Sequence, residues 1–344
     1  MTVDAETIGS MMSLQGVLDA TLSAVLPRGT RAALINFPNH HNVGDPALYL
    51  GGLRALARIG VRLTYRCHHR TYDRAALEHE LSNGTAVILI SGGGSLGDQY
   101  PPQQTREQVL MDFPDVPTIQ LPQSMWFEDP VNLDRFAGIV ARHRRLTLLW
   151  RDQRSLETAT QAFDAFSTLC PDLVFGLGEL VRPCDPVQDV VWLRRDDRES
   201  SSGGRTGGGE DASHRGIEPI DWFDWSPEEA LGDADGIALA YRSGDLIDRT
   251  IADPASWPEL ALTIAPLVRR RLHFGMRVLA RGRTVVSDRL HAVLLAYLMG
   301  IPAIAVDNRT GKVSGFMDTW LSDDPGIEMA ATHGEALDRA LTLG

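Results

Sequence analysis

Apolar runs and polar loops alternate along this chain with a spacing that predicts most of its elements. Ala32 to Phe37 reads as a buried strand, Pro38 to Asp45 as a polar loop, and Pro46 to Ile59 as a helix capped by Gly60. Val61 to Tyr65 is the next strand. The unit then repeats, with a helix at Arg74 to Leu81, a strand at Ala86 to Ile90, a glycine-rich loop at Ser91 to Asp98 and a helix at Thr105 to Phe113. Thr118 to Leu121, Leu146 to Trp150 and Leu173 to Phe175 read as further short apolar strands. Strands alternating with helices predict a parallel sheet covered on both faces.

A second unit opens after Leu180 with a strand at Val190 to Leu193. The Ser/Gly stretch from Glu199 to Ser213 cannot bury a core and predicts a flexible loop over 199–216. Ile220 to Trp225 holds two tryptophans, and Trp257 to Arg271 reads as a long helix leading to Val278. A strand at Thr284 to Val286 is followed by a dense apolar helix, Ala292 to Met299, closed by Gly300 and Pro302, and then by a strand at Ala303 to Val306. The pattern predicts an α/β protein of two doubly wound, Rossmann-like lobes, 1–180 and 181–344, with a cleft between them. No internal repeat or heptad is present.

Composition narrows the classes of partner. The 344 residues are 43% hydrophobic and 23% charged, as in soluble globular proteins, and the net charge of -12 opposes nucleic acid or anionic lipid over most of the surface. An acidic ligand needs a local cationic pocket. The cations are nearly all arginine, and Lys312, in the loop Asp307-Asn308-Arg309-Thr310-Gly311-Lys312, is the single lysine. It reads either as a solvated loop residue or as a compact charge for a ligand. Cys67, Cys170 and Cys184 are too few and too scattered for a disulfide framework or a cysteine-based zinc site. No basic region precedes an apolar core at the N-terminus, and the uncharged run Ala292 to Val306 is short for a membrane span. The expectation is a soluble protein of the cytoplasm, at most peripheral to a membrane.

Chemistry concentrates where strands give way to helices. Ser287-Asp288-Arg289-Leu290-His291 sets an arginine and a histidine two residues apart at such a junction, so an anion could be held and a proton moved at one spot. The duller reading is a salt bridge from Arg289 to Asp288, with His291 a satisfied helix-start residue. Asn42-Val43-Gly44-Asp45 could bond ligand hydroxyls, but Asp45 before Pro46 fits an N-cap better, and His40 and His41 read as surface residues. Ser91-Gly92-Gly93-Gly94-Ser95, with Gly97-Asp98, follows a strand as a phosphate- or sugar-binding loop would, yet it is neither a dinucleotide fingerprint nor a P-loop. Arg151 and Arg154, spaced i and i+3 after a strand, could grip a carboxylate or phosphate, or could pair with Asp152 or Glu157. Cys67-His68-His69 lacks a third ligand, so no metal is expected.

Taken in order, these loops resemble the polysaccharide pyruvyl transferase family from about Ala32 to Trp320. The matching residues are Asn42, Gly44 and Asp45; Gly92, Gly93 and Gly94 with Gly97-Asp98; Leu121-Pro122-Gln123-Ser124; Arg151-Asp152 with Ser155; Cys170-Pro171-Asp172; Ser287 to His291; and Asp307-Asn308 with Gly311-Lys312. Within the family the chain is most similar to the bacterial exopolysaccharide ketal-pyruvate transferases.

The resemblance implies transfer of pyruvate from phosphoenolpyruvate to two hydroxyls of one hexose, forming a cyclic ketal on a cell-surface glycan or its lipid-linked precursor. The implied fold is similar to the two-lobed glycosyltransferase B architecture, with the N-terminal lobe on the acceptor side. His291, Arg289 and Arg151 are then the expected catalytic residues, and no cofactor is called for beyond phosphoenolpyruvate as co-substrate. Asn42, Gly44, Asp45, Gly92, Gly93, Gly94, Asp98, Gln123, Ser124, Ser287, Asp307, Asn308 and Lys312 are the expected substrate-binding residues. Two departures stand out: Ser95 occupies a position where asparagine is expected, and the Ser/Gly insertion is long. A glycosyltransferase using a nucleotide sugar, and a non-catalytic glycan-binding protein of polysaccharide assembly, are the competing readings.

Overall fold

The computed structural model describes residues 5–39, 42–201, 213–231 and 234–343. The elements of the first half are α1 (Ala5–Val25), β1 (Arg31–Ile35), α2 (Gly44–Arg58), β2 (Arg62–Cys67), α3 (Arg74–Ser82), β3 (Val87–Ile90), β4 (Gly93–Gly97), α4 (Pro102–Asp112), β5 (Thr118–Trp126), α5 (Pro130–Val140), β6 (Leu146–Trp150), α6 (Gln153–Ala162) and β7 (Phe166–Leu169). The second half adds β8 (Gln188–Leu193), α7 (Pro227–Leu231), α8 (Ala234–Ala252), α9 (Trp257–Ala280), β9 (Gly282–Ser287), α10 (Leu290–Leu298), β10 (Ala303–Val306), α11 (Lys312–Trp320), β11 (Ile327–Ala330) and α12 (His333–Leu343).

The expected parallel sheet is present, and there are two. One has seven strands in the order β2-β1-β3-β5-β6-β7 with β4 beside β5, and the other has four in the order β11-β10-β9-β8. Every strand pair in both is parallel. The central strands β3 and β10 are buried along their whole length, as a sheet covered on both faces requires.

Three expectations are corrected. The glycine-rich segment is not a loop throughout, because Gly93–Gly97 pairs with β5 as a strand. Leu173 to Phe175 is not a strand but part of a tight helical turn, Leu173–Leu177, whose first N–H groups include one capped by Asp172. This turn lies backbone to backbone on α2, since a Cβ at Gly51 would stand 2.1 Å from the Leu173 carbonyl oxygen, leaving no room for sheet pairing. The long helix does not stop at Arg271. It runs on to Ala280 through Gly275, where an added Cβ would lie 2.2 Å from Val43 Cγ1, so the glycine that weakens the apolar pattern is the contact point with the chain before α2.

One apolar cluster joins the two sheets, running from Leu34 and Leu89 through Leu173 and Phe175 to Val285 and Ala305. Helix α9 reaches across as well, with Trp257 packed on Tyr65 of β2 at 5.0 Å between ring centroids. Of the described helices none is long and apolar enough to cross a membrane, and the uncharged run after His291 resolves into α10 and β10. His40 and His41, and most of the expected flexible loop (202–212), lie outside the described residues.

Candidate functional site

The carboxyl ends of strands from both sheets open on a single cleft of about 380 Å³. Asn36 follows β1, Ser91 follows β3, Arg151 follows β6, Arg195 follows β8, Arg289 follows β9 and Asn308 follows β10, and all six line it. Parallel strands deliver their connections to one edge, which is why residues distant in sequence meet there.

Arg151 and His291 come together around Asp172. Asp172 is fully buried; its Oδ2 accepts from Arg151 Nη1 at 2.7 Å and lies 3.4 Å from His291 Nε2, while its Oδ1 accepts from the Val174 N–H. Burial alone would raise this carboxyl, but His291, Arg151 and the Val174 N–H hold it down at about 2. Arg151 is fixed further by Ser124, whose hydroxyl accepts from Nε at 2.8 Å and donates to Asp152. On its other side the His291 ring leans on the start of α2, where a Cβ at Gly44 would stand 2.5 Å from Nδ1. A side chain at Gly94 would meet both Arg151 Nη2 and Lys312 Nζ at 3.3 Å, so that glycine leaves open a space flanked by two cations.

The opposite wall is a belt of ion pairs. Arg289, on the N-terminal side of α10, donates through Nη2 to Asp221 at 2.6 Å and to Asp197 at 3.2 Å, and its buried Nε makes no hydrogen bond among the described residues. Arg195 pairs with Asp197 and Glu199, and Glu199 in turn accepts from Lys312 Nζ at 2.6 Å and from the Tyr100 hydroxyl at 2.8 Å. Burial pushes the Lys312 ammonium below its usual range despite Glu199. Glu199, which burial would raise, is held below the usual carboxylate range by Lys312 and Arg195 together. Asp221 stays above that range because burial outweighs its single arginine. Desolvated pairs of this kind hold their cations in fixed geometry for an incoming anion.

The expected site residues divide. Asn42, Asp45, Gly92, Gly94, Arg151, Arg289, His291, Asn308 and Lys312 line the cleft. Gly44 and Gly93 lie just behind its lining, Gly93 against Leu48, in a left-handed conformation at φ 118°. Asp45 is not a helix cap: α2 begins at Gly44, and Asp45 Oδ2 accepts from Asn42 Nδ2 at 3.1 Å inside the first turn. Asp98 turns away to accept the Glu128 and Asp129 N–H groups. Gln123 is buried beneath the lining, and Ser124 acts on Arg151. Ser287 donates to the Leu193 carbonyl and accepts the Arg289 N–H, and Asp307 accepts from the backbone and hydroxyl of Ser314. Arg154 does not join Arg151; it is exposed beside Asp318, and Asp152 caps α6. Asp288 pairs with neither arginine side chain but accepts the Arg195 N–H.

Arg195, Asp197, Glu199, Tyr100, Asn36 and Phe223 line the cleft without having been singled out in the sequence. Asn36 carries the one signal that was legible, an asparagine directly after a buried strand, and it sits in the left-handed region at φ 68°. Arg106 was missed too; buried under β4, it donates to Gln120 and Gln103 and reaches Ser95, and burial lowers it to about 9.

Comparison with known proteins gives one consistent answer. Residues 42–201 and 275–310 match the model of the family described as polysaccharide pyruvyl transferase. The chain is 31% identical to pyruvyl transferase 1 of the fission yeast Schizosaccharomyces pombe, over 91% of this chain and 75% of that protein. It is 24% identical to EpsO of Bacillus subtilis, provisionally named a pyruvyl transferase, over 93% of this chain and 94% of that one. Its fold is similar to that of an uncharacterised protein of Klebsiella pneumoniae solved by crystallography, with a TM-score of 0.55 at 13% identity, covering 93% of this chain and 99% of the other.

Proposed function

Because this chain belongs to the polysaccharide pyruvyl transferase family, we propose that it transfers pyruvate from phosphoenolpyruvate to two hydroxyls of one hexose, in a cell-surface polysaccharide or its lipid-linked precursor, closing a cyclic ketal. The observation that carries this reading is the cleft in which His291, between Asp172 and Arg151, faces cations from both sheets. Phosphoenolpyruvate brings a carboxylate and a phosphate, and the space beside Gly94 between Arg151 and Lys312, with Arg289 at the start of α10, supplies matching charge.

In the proposed reaction His291 delivers a proton to C3 of the enol, which becomes a methyl group and leaves C2 electrophilic. The first sugar hydroxyl bonds to C2 and returns its proton to His291. The C2–O bond to phosphate then breaks, and the second hydroxyl bonds to C2 while its proton leaves with phosphate. No electron is gained or lost, so no redox cofactor is required. Arg289, Arg151 and Lys312 hold the donor's anionic groups and take up the charge of the departing phosphate. Asn42 and Asp45 orient the hydroxyls.

We assign residues 1–180 to an acceptor-side lobe and 181–344 to the lobe carrying Arg289 and His291, in an arrangement similar to glycosyltransferase B enzymes. The reaction is placed in the cytoplasm, at the inner face of the membrane where a lipid-linked acceptor would lie. Incubation with phosphoenolpyruvate and glycan intermediates tests the reading. Phosphate release with a carboxyethylidene group on the glycan, found by mass spectrometry, is expected. Nucleoside diphosphate release from a sugar nucleotide, or glycan binding without turnover, would replace it with one of the competing readings.

A further inference from the structure

Phe223 is 54% exposed, yet it lines the cleft. A single exposed phenylalanine on a protein surface carries no message; this one is held in place from several sides. The turn Trp222–Asp224 is closed by reciprocal bonds between Asp221 and Asp224. Asp221 also accepts from Arg289 and from the Asp196 N–H, and the neighbouring Trp222 is buried. The Arg289 guanidinium lies over the Phe223 ring, 5.5 Å from its centre. The ring is therefore fixed beside an anchored cation and cannot withdraw into the core. The other Phe, Tyr and Trp side chains of the lining are not so presented. Phe37 and Trp222 are buried, and the Tyr100 ring has Lys312 and Arg198 over it.

Across the same cleft stand groups suited to hydroxyls: Asn42, Asp45, and Asn36, whose buried Oδ1 makes no hydrogen bond among the described residues. We propose that Phe223 is the platform on which the acceptor hexose stacks, its ring taking the C–H face of the sugar while the polar wall takes the hydroxyls. The apolar face of a pyranose presents weakly positive C–H hydrogens, which the negative face of an aromatic ring attracts. Binding sites of this kind pair an aromatic surface with a few placed polar groups. Phe223 then contributes to acceptor affinity and to the choice of sugar, while Arg289 beneath it serves the donor.

The assignment rests on the transferase reading above, and the test separates the two. Phosphate release from phosphoenolpyruvate is measured over a panel of p-nitrophenyl hexosides for the wild type and for Phe223→Ala, Phe223→Leu and Phe223→Tyr. The KM for the hexoside should rise about tenfold in Phe223→Ala, remain high in Phe223→Leu, which fills space without a flat ring, and return in Phe223→Tyr. The KM for phosphoenolpyruvate should stay within about twofold of the wild type, because the Arg289 pairs with Asp197 and Asp221 are untouched. An unchanged hexoside KM in Phe223→Ala, or equal rises for both substrates, overturns the platform. If the wild type turns over no hexoside, the transferase reading is the part that fails. Saturation-transfer NMR with the same hexosides then decides the platform: binding by the wild type that Phe223→Ala loses supports it, and binding that survives, or none by the wild type, overturns it.

Discussion

His291 and Arg289 sit two residues apart but are held by different carboxylates, so their loss should be felt differently. His291→Ala removes the proposed proton carrier while leaving the donor's cations in place, and kcat should fall about 10²- to 10⁴-fold with phosphoenolpyruvate still bound, as calorimetry can show. Undiminished turnover would remove His291 from the chemistry. Arg289→Ala should instead cost about 2–5 kcal/mol of donor affinity, because it takes away a cation and strands Asp221, already raised by burial. Asp172 lends itself to a pH experiment. Its folded carboxyl titrates at about 2 rather than 3.8, so the ionised form adds stability that is complete above about pH 4 and is lost as the pH falls toward 2. The contribution is on the order of 2 kcal/mol. Urea unfolding of Asp172→Asn and wild type should differ more at pH 5 than at pH 2.5, and an equal difference at both would refute the assignment.

At the level of elements, close approach explains what side-chain chemistry alone does not. Gly44 opens α2 under the His291 ring, and alanine there favours the helix while driving a methyl into Nδ1. Gly44→Ala should therefore keep its melting temperature within a few degrees and lose most of its kcat; the reverse pattern would show that the contact is merely structural. The elements themselves were largely legible, since β1, β3, β6, β9 and β10 are apolar runs bounded by polar residues. What escaped depends on tertiary contact. Leu173 to Phe175 has a strand's composition, but Asp172 and Gly51 bend it into a turn. The roles of Ser124 and Asp172 were hidden for a similar reason. Each works through Arg151 or His291, and Asp172 is separated from His291 by 119 positions. Charge and spacing identify which residues can meet an anion; only the sheet order shows that Asp98 and Asp307 are spent on backbone while Arg195 and Glu199 are not.

Over the whole molecule, the two sheets share more than a cleft. The apolar cluster that runs through both, and the reach of α9 back to Tyr65 and Val43, tie the first sheet to residues far downstream. Residues 1–180 expressed alone should therefore expose apolar surface, bind a hydrophobic dye and lack a cooperative melting transition. Co-expression with 181–344 should restore one, and independent cooperative folding of the first fragment would contradict the packing described here.

Lys312 carries a consequence of a practical kind. As the single lysine of 344 residues, buried in the cleft with its ammonium shifted toward the neutral form, it offers a covalent reagent one ε-amine, and that amine lies at the proposed donor site. Pyridoxal phosphate followed by borohydride should mark this residue at one label per chain, abolish transfer in proportion, and be kept out by phosphoenolpyruvate. A label that leaves transfer intact would move the donor elsewhere. The scarcity that looked like compositional drift thus makes the cleft chemically addressable, a built-in handle for counting functional sites and for reporting their occupancy without any engineered residue.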